Sequence, residues 1–395
     1  MNSILSQKLD NERIIIRVDF NVPLEKGKVM DDFRIRSALP TIKHCLQEGA
    51  SVILMSHLGR PNGVKNDELS LVSVGEALCD LLEISIKFSH DCISEDSVEV
   101  SSRLQSGEVH LLENLRFYKG ETDNDSEFSK KLSDHGTMYI NDAFGTSHRS
   151  HASNVGITKY IDNCFPGLLL EKEYEFLHNS LIAPKKPFTI ILGGAKISTK
   201  LPLISRFLSE ADNLIVGGGM AYTFLKSLGN QIGNSIFDKT KSAKALSILN
   251  SIKNYNCKFI LPSDVLVTKD FSSGVVDSIK RIDEISNDEE GIDIGPISIN
   301  RFSDIILNSK TVIWNGPMGV FEKEAFSKGT NLIAHSISEM TQNGGTSIIG
   351  GGDSALAIKD LGVWDNMTHI STGGGASLEL LAGKELPAFK VLRMI

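Results

Sequence analysis

Short apolar runs rich in Val and Ile recur along the chain, and each stops abruptly at Gly, Asp, Asn or Ser. Residues 14–18 run into DFNVP, 52–55 into SHLGRP, 109–112 into ENLRF and 138–140 into NDAFG. The second half repeats the pattern: 189–192 before GGAK, 214–216 before GGG, 259–261 before PSD, 312–314 before NGPMG, 348–349 before GGGDS, and Ile370 before STGGG. Continuous runs of this length predict strands buried on both faces. Between them lie helical patterns: Ile197, Leu201, Ile204 and Leu208 fall on one face at i, i+4, i+7 and i+11. Alternating strands and helices predict an α/β fold with parallel sheets flanked by helices. Ligands of such sheets bind beyond the carboxyl ends of the strands. The first four strand ends carry Asp, Asn, His and Arg, whereas the later ones carry glycine triplets, Lys and Asp. Two sheets with two different ligands is the economical reading.

A length of 395 residues suits two domains. The boundary is expected near 165–187, where FPGLLLEKEYEFLHNSLIAPKKP opens on Pro166-Gly167, runs as a helix and stops at Pro184 and Pro187. Net charge is −8, which argues against nucleic-acid or anionic-membrane partners. Yet eight of the twelve arginines lie before residue 150, so a local cationic site fits the first half. The five cysteines are scattered without a C-x-x-C pair and read as reduced, buried thiols of a cytosolic chain. The N-terminus lacks the pattern of a secretory signal, and no apolar run approaches the roughly 20 residues that span a bilayer.

In the first half, Arg17, Arg34, His57, Arg60, Arg116, Arg149 and His151 sit at or just after predicted strand ends. Arginine presents a planar fork of donors that suits phosphate and carboxylate. Asp19 and Asn21 alternate along a strand exit and face the same way. They suit hydrogen bonding to a small polar ligand. The alternative is arginines paired with nearby acids, such as Asp31 and Asp32 beside Arg34. Arg36 and His148 read as structural or rim residues.

In the second half, GGAKISTK places Lys196 and Lys200 four apart at a predicted helix start near Ser198 or Thr199, on one face, where both could meet a polyphosphate. A solvated lysine pair is the alternative. Pro202 fits only that helix's first turn. GGGDSA offers backbone for phosphate and Asp353 for Mg²⁺. GGGMAYTFLK lets a flat base lie against bare backbone. There is no P-loop motif. GGGDSA also fits G-x-G-x-x-A after a strand, so a dinucleotide-dependent dehydrogenase stays open here, as does a non-catalytic relative.

RVDFNVPL, DDFRI, SHLGRP, LLENLRFY, NDAFGTSHRSH, GGAKISTK, GGGMAYTFL, WNGPMGVFE, GGGDSA and STGGGASLELLAGKELP, in this order, resemble the signature series of the phosphoglycerate kinase family. The resemblance implies two Rossmann-like domains joined by a helix. Residues 1–166, with about 376–395 packing back, would bind 3-phosphoglycerate or 1,3-bisphosphoglycerate. Residues 167–187 would connect, and 188–375 would bind ADP or ATP with Mg²⁺. It implies substrate contacts from Asp19, Phe20, Asn21, Arg34, His57, Leu58, Gly59, Arg60, Arg116 and Arg149, with His151 in support. It implies nucleotide contacts from Lys196, Lys200, Gly217, Gly218, Asn315, Glu322, Gly351, Gly352, Asp353 and Ser354, with Asp353 holding the metal. Arg34, Lys196, Gly373 and Gly374 would act on the transferring group. The implied enzyme is a cytoplasmic monomer of glycolysis and gluconeogenesis that depends on domain closure. One position departs from the family pattern: Ala388 stands where a glycine usually follows KELP.

Overall fold

The apolar runs become strands, most of them inner strands, of two parallel sheets in the computed structural model, which describes residues 3–394. The chain divides into two units, Met1–Glu175 with Gly383–Ile395, and Phe176–Ala382.

In the first unit, β1 (Arg13–Val18), β2 (Ser51–Met55), β3 (Ile86–Ser89), β4 (Val109–Leu112), β5 (Met138–Asp142) and β6 (Cys164–Pro166) pair in the order β3-β4-β2-β1-β5-β6, all parallel. Every residue of β2, β4 and β5 is buried, as a sheet covered on both faces requires. Registers Arg17↔Met55 and Val18↔Asp142 bring the strand ends level. The loops that leave β1, β2 and β5 therefore start from one edge, at the point where strand order reverses. Helix α1 (Phe33–Gln47) carries Arg34 in its first turn. β3 and β6 have no counterpart among the predicted strands. The first is a half-exposed edge and the second is three residues long, so neither shows a continuous apolar run.

A buried chain of hydrogen bonds ties this unit together away from the strand ends. The His135 Nε2 reaches the Cys92 carbonyl at 3.1 Å, so Nε2 donates and Nδ1 accepts from Ser101 Oγ at 2.6 Å. Ser101 in turn accepts from His110 Nδ1 at 2.9 Å, leaving His110 Nε2 to accept from Ser89 Oγ at 2.8 Å. Burial pushes both rings down to about 4. As pH falls from 6.5 to 4, the unfolded chain takes up protons that the folded rings refuse, and this contribution to stability is lost. His135→Gln is expected to be less stable than wild type at pH 7. Between pH 7 and 5 the gap should narrow by about 2 kcal/mol, since one unit of pH between the two pKa values is worth about 1.4 kcal/mol. Urea unfolding at pH 7, 6 and 5 checks this, and parallel profiles would contradict it.

Helix α2 (Leu168–Tyr174) follows β6 and continues as a π-helical turn, Glu175–Asn179, and a short stretch, Ser180–Ile182. Asp142, at the end of β5, accepts the amides of Leu169 (2.9 Å) and Leu170 (3.2 Å). Gly167 must be glycine at this crossing, since a Cβ there would lie 2.1 Å from Asp142 Oδ1. The terminal helix Pro387–Val391 belongs to the first unit. Phe389 packs against Phe144 and Tyr174, with ring centroids 6.1 and 5.5 Å away. Ala388 is fully buried and its amide donates to the Ser147 carbonyl at 3.2 Å, so the methyl at the departing position is part of this core.

In the second unit, the strands are β7 (Phe188–Leu192), β8 (Asn213–Val216), β9 (Lys258–Ile260), β10 (Asp264–Thr268), β11 (Ser278–Arg281), β12 (Glu290–Ile294), β13 (Thr311–Asn315), β14 (Thr346–Gly350) and β15 (His369–Ile370). The parallel sheet has the order β9-β8-β7-β13-β14-β15. Strand order reverses between β7 and β13, which marks the ligand end of such a sheet. β11-β10-β12 form a separate antiparallel sheet that the apolar pattern did not predict.

One expectation is corrected. Ile197, Leu201, Ile204 and Leu208 are all buried, as their spacing predicts. The α-helix α3, however, spans Leu201–Glu210, preceded by a 3₁₀ turn at Ile197–Thr199. Pro202 has no N–H to give and sits in the first turn, so the regular ladder begins later than the pattern implied. Lys196 has extended backbone and an exposed side chain, whereas Lys200 caps α3 and is buried. The two lysines do not share a helix face.

Candidate functional site

At the strand ends of the first unit, charge gathers. Arg34 Nη1 pairs with Asp19 Oδ2 at 2.7 Å. The pairing with Asp32 that the alternative reading gave to Arg34 belongs instead to Arg36, at 2.8 Å on the surface. Asn21 Oδ1 accepts the Gly59 amide at 2.9 Å, and the Gly59 carbonyl accepts from Arg116 Nη1 at 2.7 Å. Gly59 has φ +62°, and a Cβ would lie 2.7 Å from Leu69, so the loop needs glycine there. The side chains of Phe20 and Leu58 are buried and their amides are taken, by Ser56 Oγ (2.9 Å) and Asn114 Oδ1 (3.2 Å). These two residues hold the loops in place.

Arg17 is fully buried, donating to Ser153 Oγ at 2.8 Å and facing His57 Nδ1 at 3.1 Å. Burial, with Arg17, Arg116, Arg149 and Arg34 around it, holds His57 well below its ordinary range, so the ring is neutral. Burial and the neighbouring Arg149 and Arg17 push Arg116 down to about 10, against Glu121 and Asp19. Arg149, half-buried, is also pushed down by burial; Asp19 opposes this, while Arg17, Arg60 and Arg34 add to it. Guanidinium groups that depress one another mark a concentration of positive charge that an anion relieves. Arg60 is exposed, and His151 Nδ1 lies 3.6 Å from the buried Glu121. His148 neighbours Arg149, whose Nε approaches its Nε2 at 3.3 Å. Sequence reasoning missed Asn114, Glu121 and Ser153. Asn114 lies within the ENLRF motif, but nothing local marks Glu121 or Ser153.

In the second unit, a cavity of about 440 Å³ opens beside the ends of β7, β8 and β13. Gly218 and Gly219 contribute bare backbone to its lining, together with the apolar side chains of Ile236, Val265, Phe271 and Met318. The antiparallel sheet supplies one wall, through Val265 and residues 290–294. Glu322 and Asp353 line it as exposed carboxylates. Gly217 is pressed against Met318, where a Cβ would lie 2.5 Å from its sulfur. Gly316 has φ +97°, and a Cβ would lie 2.4 Å from the Gly193 carbonyl oxygen, so the loops interlock only as bare backbone.

The buried Lys200 donates to the Asn315 carbonyl at 3.2 Å, and burial pushes it down to about 8 against the pull of Asp353. Asn315 Nδ2 is buried and has no hydrogen-bond partner among the described residues. Ser354 is buried and its hydroxyl accepts the Gly316 amide at 2.7 Å, so it braces the loop. Gly351 precedes helix α4 (Gly352–Asp360) and Gly373 caps helix α5 (Gly374–Leu381). The space beside Gly352 and Gly374 is open. Amides at such helix starts, an orphaned amide donor and lysines suit a polyphosphate.

GGGDSA follows β14, the fifth strand of the parallel sheet, whereas a dinucleotide fingerprint belongs to the first βα turn. A model of the family described as phosphoglycerate kinase matches residues 4–384. The chain belongs to the phosphoglycerate kinase family. A phosphoglycerate kinase of Dictyoglomus turgidum is 50% identical over 387 residues, covering 98% of this chain and 97% of the relative. The phosphoglycerate kinase structure from Coxiella burnetii superposes with a TM-score of 0.86 at 37% identity, covering 100% of this chain and 98% of that one. The structure from Pyrococcus horikoshii gives 0.85 at 30% identity, covering 100% and 99%. Membership of the phosphoglycerate kinase family makes the chain a kinase of glycolysis. No helix among the described residues is long and apolar enough to cross a membrane.

The family's nucleotide raises the question of a metal. Among the described residues no group of three or more His, Cys, Asp or Glu could hold an ion. Asp353 alone, exposed on the cavity wall at the start of α4, fits Mg²⁺, which takes one or two carboxylates and leaves its remaining positions to phosphates and water.

Proposed function

We propose that the chain catalyses reversible in-line transfer of the 1-phosphoryl group of 1,3-bisphosphoglycerate to ADP, giving 3-phosphoglycerate and ATP. The observation that carries the reading is the cationic cluster of the first unit, where Arg17, Arg34, Arg60, Arg116 and Arg149 crowd around Asp19 and a neutral His57. A doubly anionic phosphate with a carboxylate is the ligand such a cluster favours.

In this reading Asp19 and Asn21 orient the glycerate while Arg34, Arg60, Arg116 and Arg149 meet its charge, and His57 and His151 support them. The backbone of residues 20 and 58–59 shapes the pocket. The base lies on Gly218 and Gly219, with Gly217 behind them, and Glu322 accepts from the ribose. Lys196, Lys200, Asn315 and the amides at Gly351 and Gly352 take the phosphates, with Ser354 bracing the loop. Asp353 would hold Mg²⁺, which supplies charge neutralisation on the nucleotide phosphates. Arg34, Lys196 and the amides near Gly373 and Gly374 stabilise the equatorial oxygens of the transferring group. In the direction from ATP the acceptor is the carboxylate of 3-phosphoglycerate, already ionised at neutral pH, so positioning and charge neutralisation suffice and no general base is needed. Both ligands must be bound at once, with water kept from the acyl phosphate. The unpaired cysteines, three of them buried, suit a reducing cytoplasm, and the family reading implies a monomer.

The test is a coupled assay with 3-phosphoglycerate and Mg-ATP, following reduction of the 1,3-bisphosphoglycerate formed. Turnover is expected in wild type, with a loss of at least about a hundredfold in Asp353→Ala. A folded protein that binds neither ligand would overturn the reading.

A further inference from the structure

Arg17 lies near the end of β1 with no exposed surface. A guanidinium there keeps its proton and must find acceptors. Among the described residues it has three: the Val18 carbonyl, Ser153 Oγ at 2.8 Å from Nε, and His57 Nδ1 at 3.1 Å from Nη2. Arginine only donates, so His57 Nδ1 accepts through its lone pair. A neutral ring that accepts at Nδ1 carries its proton on Nε2. Asp19 Oδ1 is 3.9 Å from Nδ1, too far to compete as a hydrogen-bond partner.

The chain continues inward. Ser153 Oγ accepts from Arg17 and so donates its own proton to Glu121 Oε1, at 2.6 Å. Glu121 Oε2 accepts the Ser153 amide at 2.9 Å, and the Tyr139 hydroxyl holds the Ser153 carbonyl at 2.7 Å. Glu121 and Ser153 are fully buried. Burial raises the Glu121 carboxyl, but His151, Arg17 and Ser153 together outweigh it and keep it ionised. Glu121 is thus the buried counter-charge of Arg17, connected to it through one hydroxyl.

We propose that Glu121 and Ser153 are positioning residues for the kinase reaction: they hold Arg17 so that it locks His57 as the Nε2–H tautomer, a neutral donor for an anionic oxygen of the phosphorylated glycerate. This rests on placing that ligand in the first unit. The alternative tautomer would aim an Nδ1–H at a guanidinium N–H, two donors without an acceptor. The lock therefore sets donor direction without adding a titrating charge to an already crowded cluster.

The experiment is nitrogen-resolved NMR of the imidazoles in the full chain, with His57 assigned by the signal lost in His57→Gln. In wild type, Nδ1 should be unprotonated and Nε2 protonated from pH 6 to 8. Ser153→Ala should give a mixture of tautomers and raise the KM for 3-phosphoglycerate roughly tenfold, the worth of one buried hydrogen bond. The KM for ATP should stay unchanged. Glu121→Gln, which keeps an oxygen for the Ser153 hydroxyl, should preserve the tautomer. A protonated Nδ1 in wild type overturns the proposal, and that spectrum decides even if Ser153→Ala does not fold. An unchanged tautomer and KM in folded Ser153→Ala overturns it equally. If the tautomer is as stated but 3-phosphoglycerate leaves the His57 Nε2 signal unmoved, the ligand placement fails instead.

Discussion

Arg34→Ala is expected to lower kcat by about 10²–10³ while changing the KM for 3-phosphoglycerate less than about tenfold. Arg34 stands in the first turn of α1 and pairs with Asp19 at 2.7 Å. Its side chain keeps 31% of its surface exposed, against 6% for Asp19. It is the more accessible partner, free to answer charge that develops on a ligand. Binding of the ground state can draw on Arg60, Arg116 and Arg149, so losing one cation among several costs little affinity. On the transferring group the proposed arrangement has one guanidinium, Arg34, beside Lys196 and the backbone amides near Gly373 and Gly374, so the loss falls on turnover. Removing Arg34 also leaves Asp19 buried without its partner, a separate penalty. A double-mutant cycle with Asp19→Asn separates the two effects. Lys196→Ala, at an exposed residue, should show the same split without a stability change. Steady-state kinetics on both substrates decide: a raised KM with kcat intact would mean that Arg34 only binds the ground state.

The second large effect concerns pH. Burial brings Lys200 down to about 8 from an ordinary 10.5. In the free protein the ammonium therefore loses its proton as pH rises through 8, whereas nucleotide phosphates favour the charged form. Binding above pH 8 must take up a proton, so ADP affinity should fall with rising pH, approaching tenfold per unit. Lys200→Arg, charged throughout, should flatten the profile. Lys200→Met should weaken ADP binding at pH 7 by about 10–100-fold, the worth of one hydrogen bond to a charged group. Calorimetric titration with ADP from pH 6.5 to 9.5 measures all three. A flat wild-type profile would exclude Lys200 from the phosphate site.

The inner strands were legible because burial on both faces demands unbroken runs of Val, Ile and Leu. Residues 109–112 are an example, matching β4 to the residue. β11 was not legible, since SIKR alternates partly and fully exposed positions and lacks a continuous run. The loss matters, because the sheet that contains it walls the cavity of the second unit. Lys196 and Lys200 show the same limit on a smaller scale. Their spacing implied a shared face, but a 3₁₀ turn between them exposes one and buries the other.

The sequence by itself determined the two parallel sheets, their polar and glycine-rich strand ends, and the family, because each rests on local runs and ordered motifs. The charge state of His57, the low pKa of Lys200 and the inward chain through Glu121 and Ser153 were decided only by the tertiary structure. Glu121 and Ser153 lie 32 residues apart, and Arg17 lies 136 residues from Ser153. Burial and through-space charge depend on which distant segments meet, and no local pattern records that.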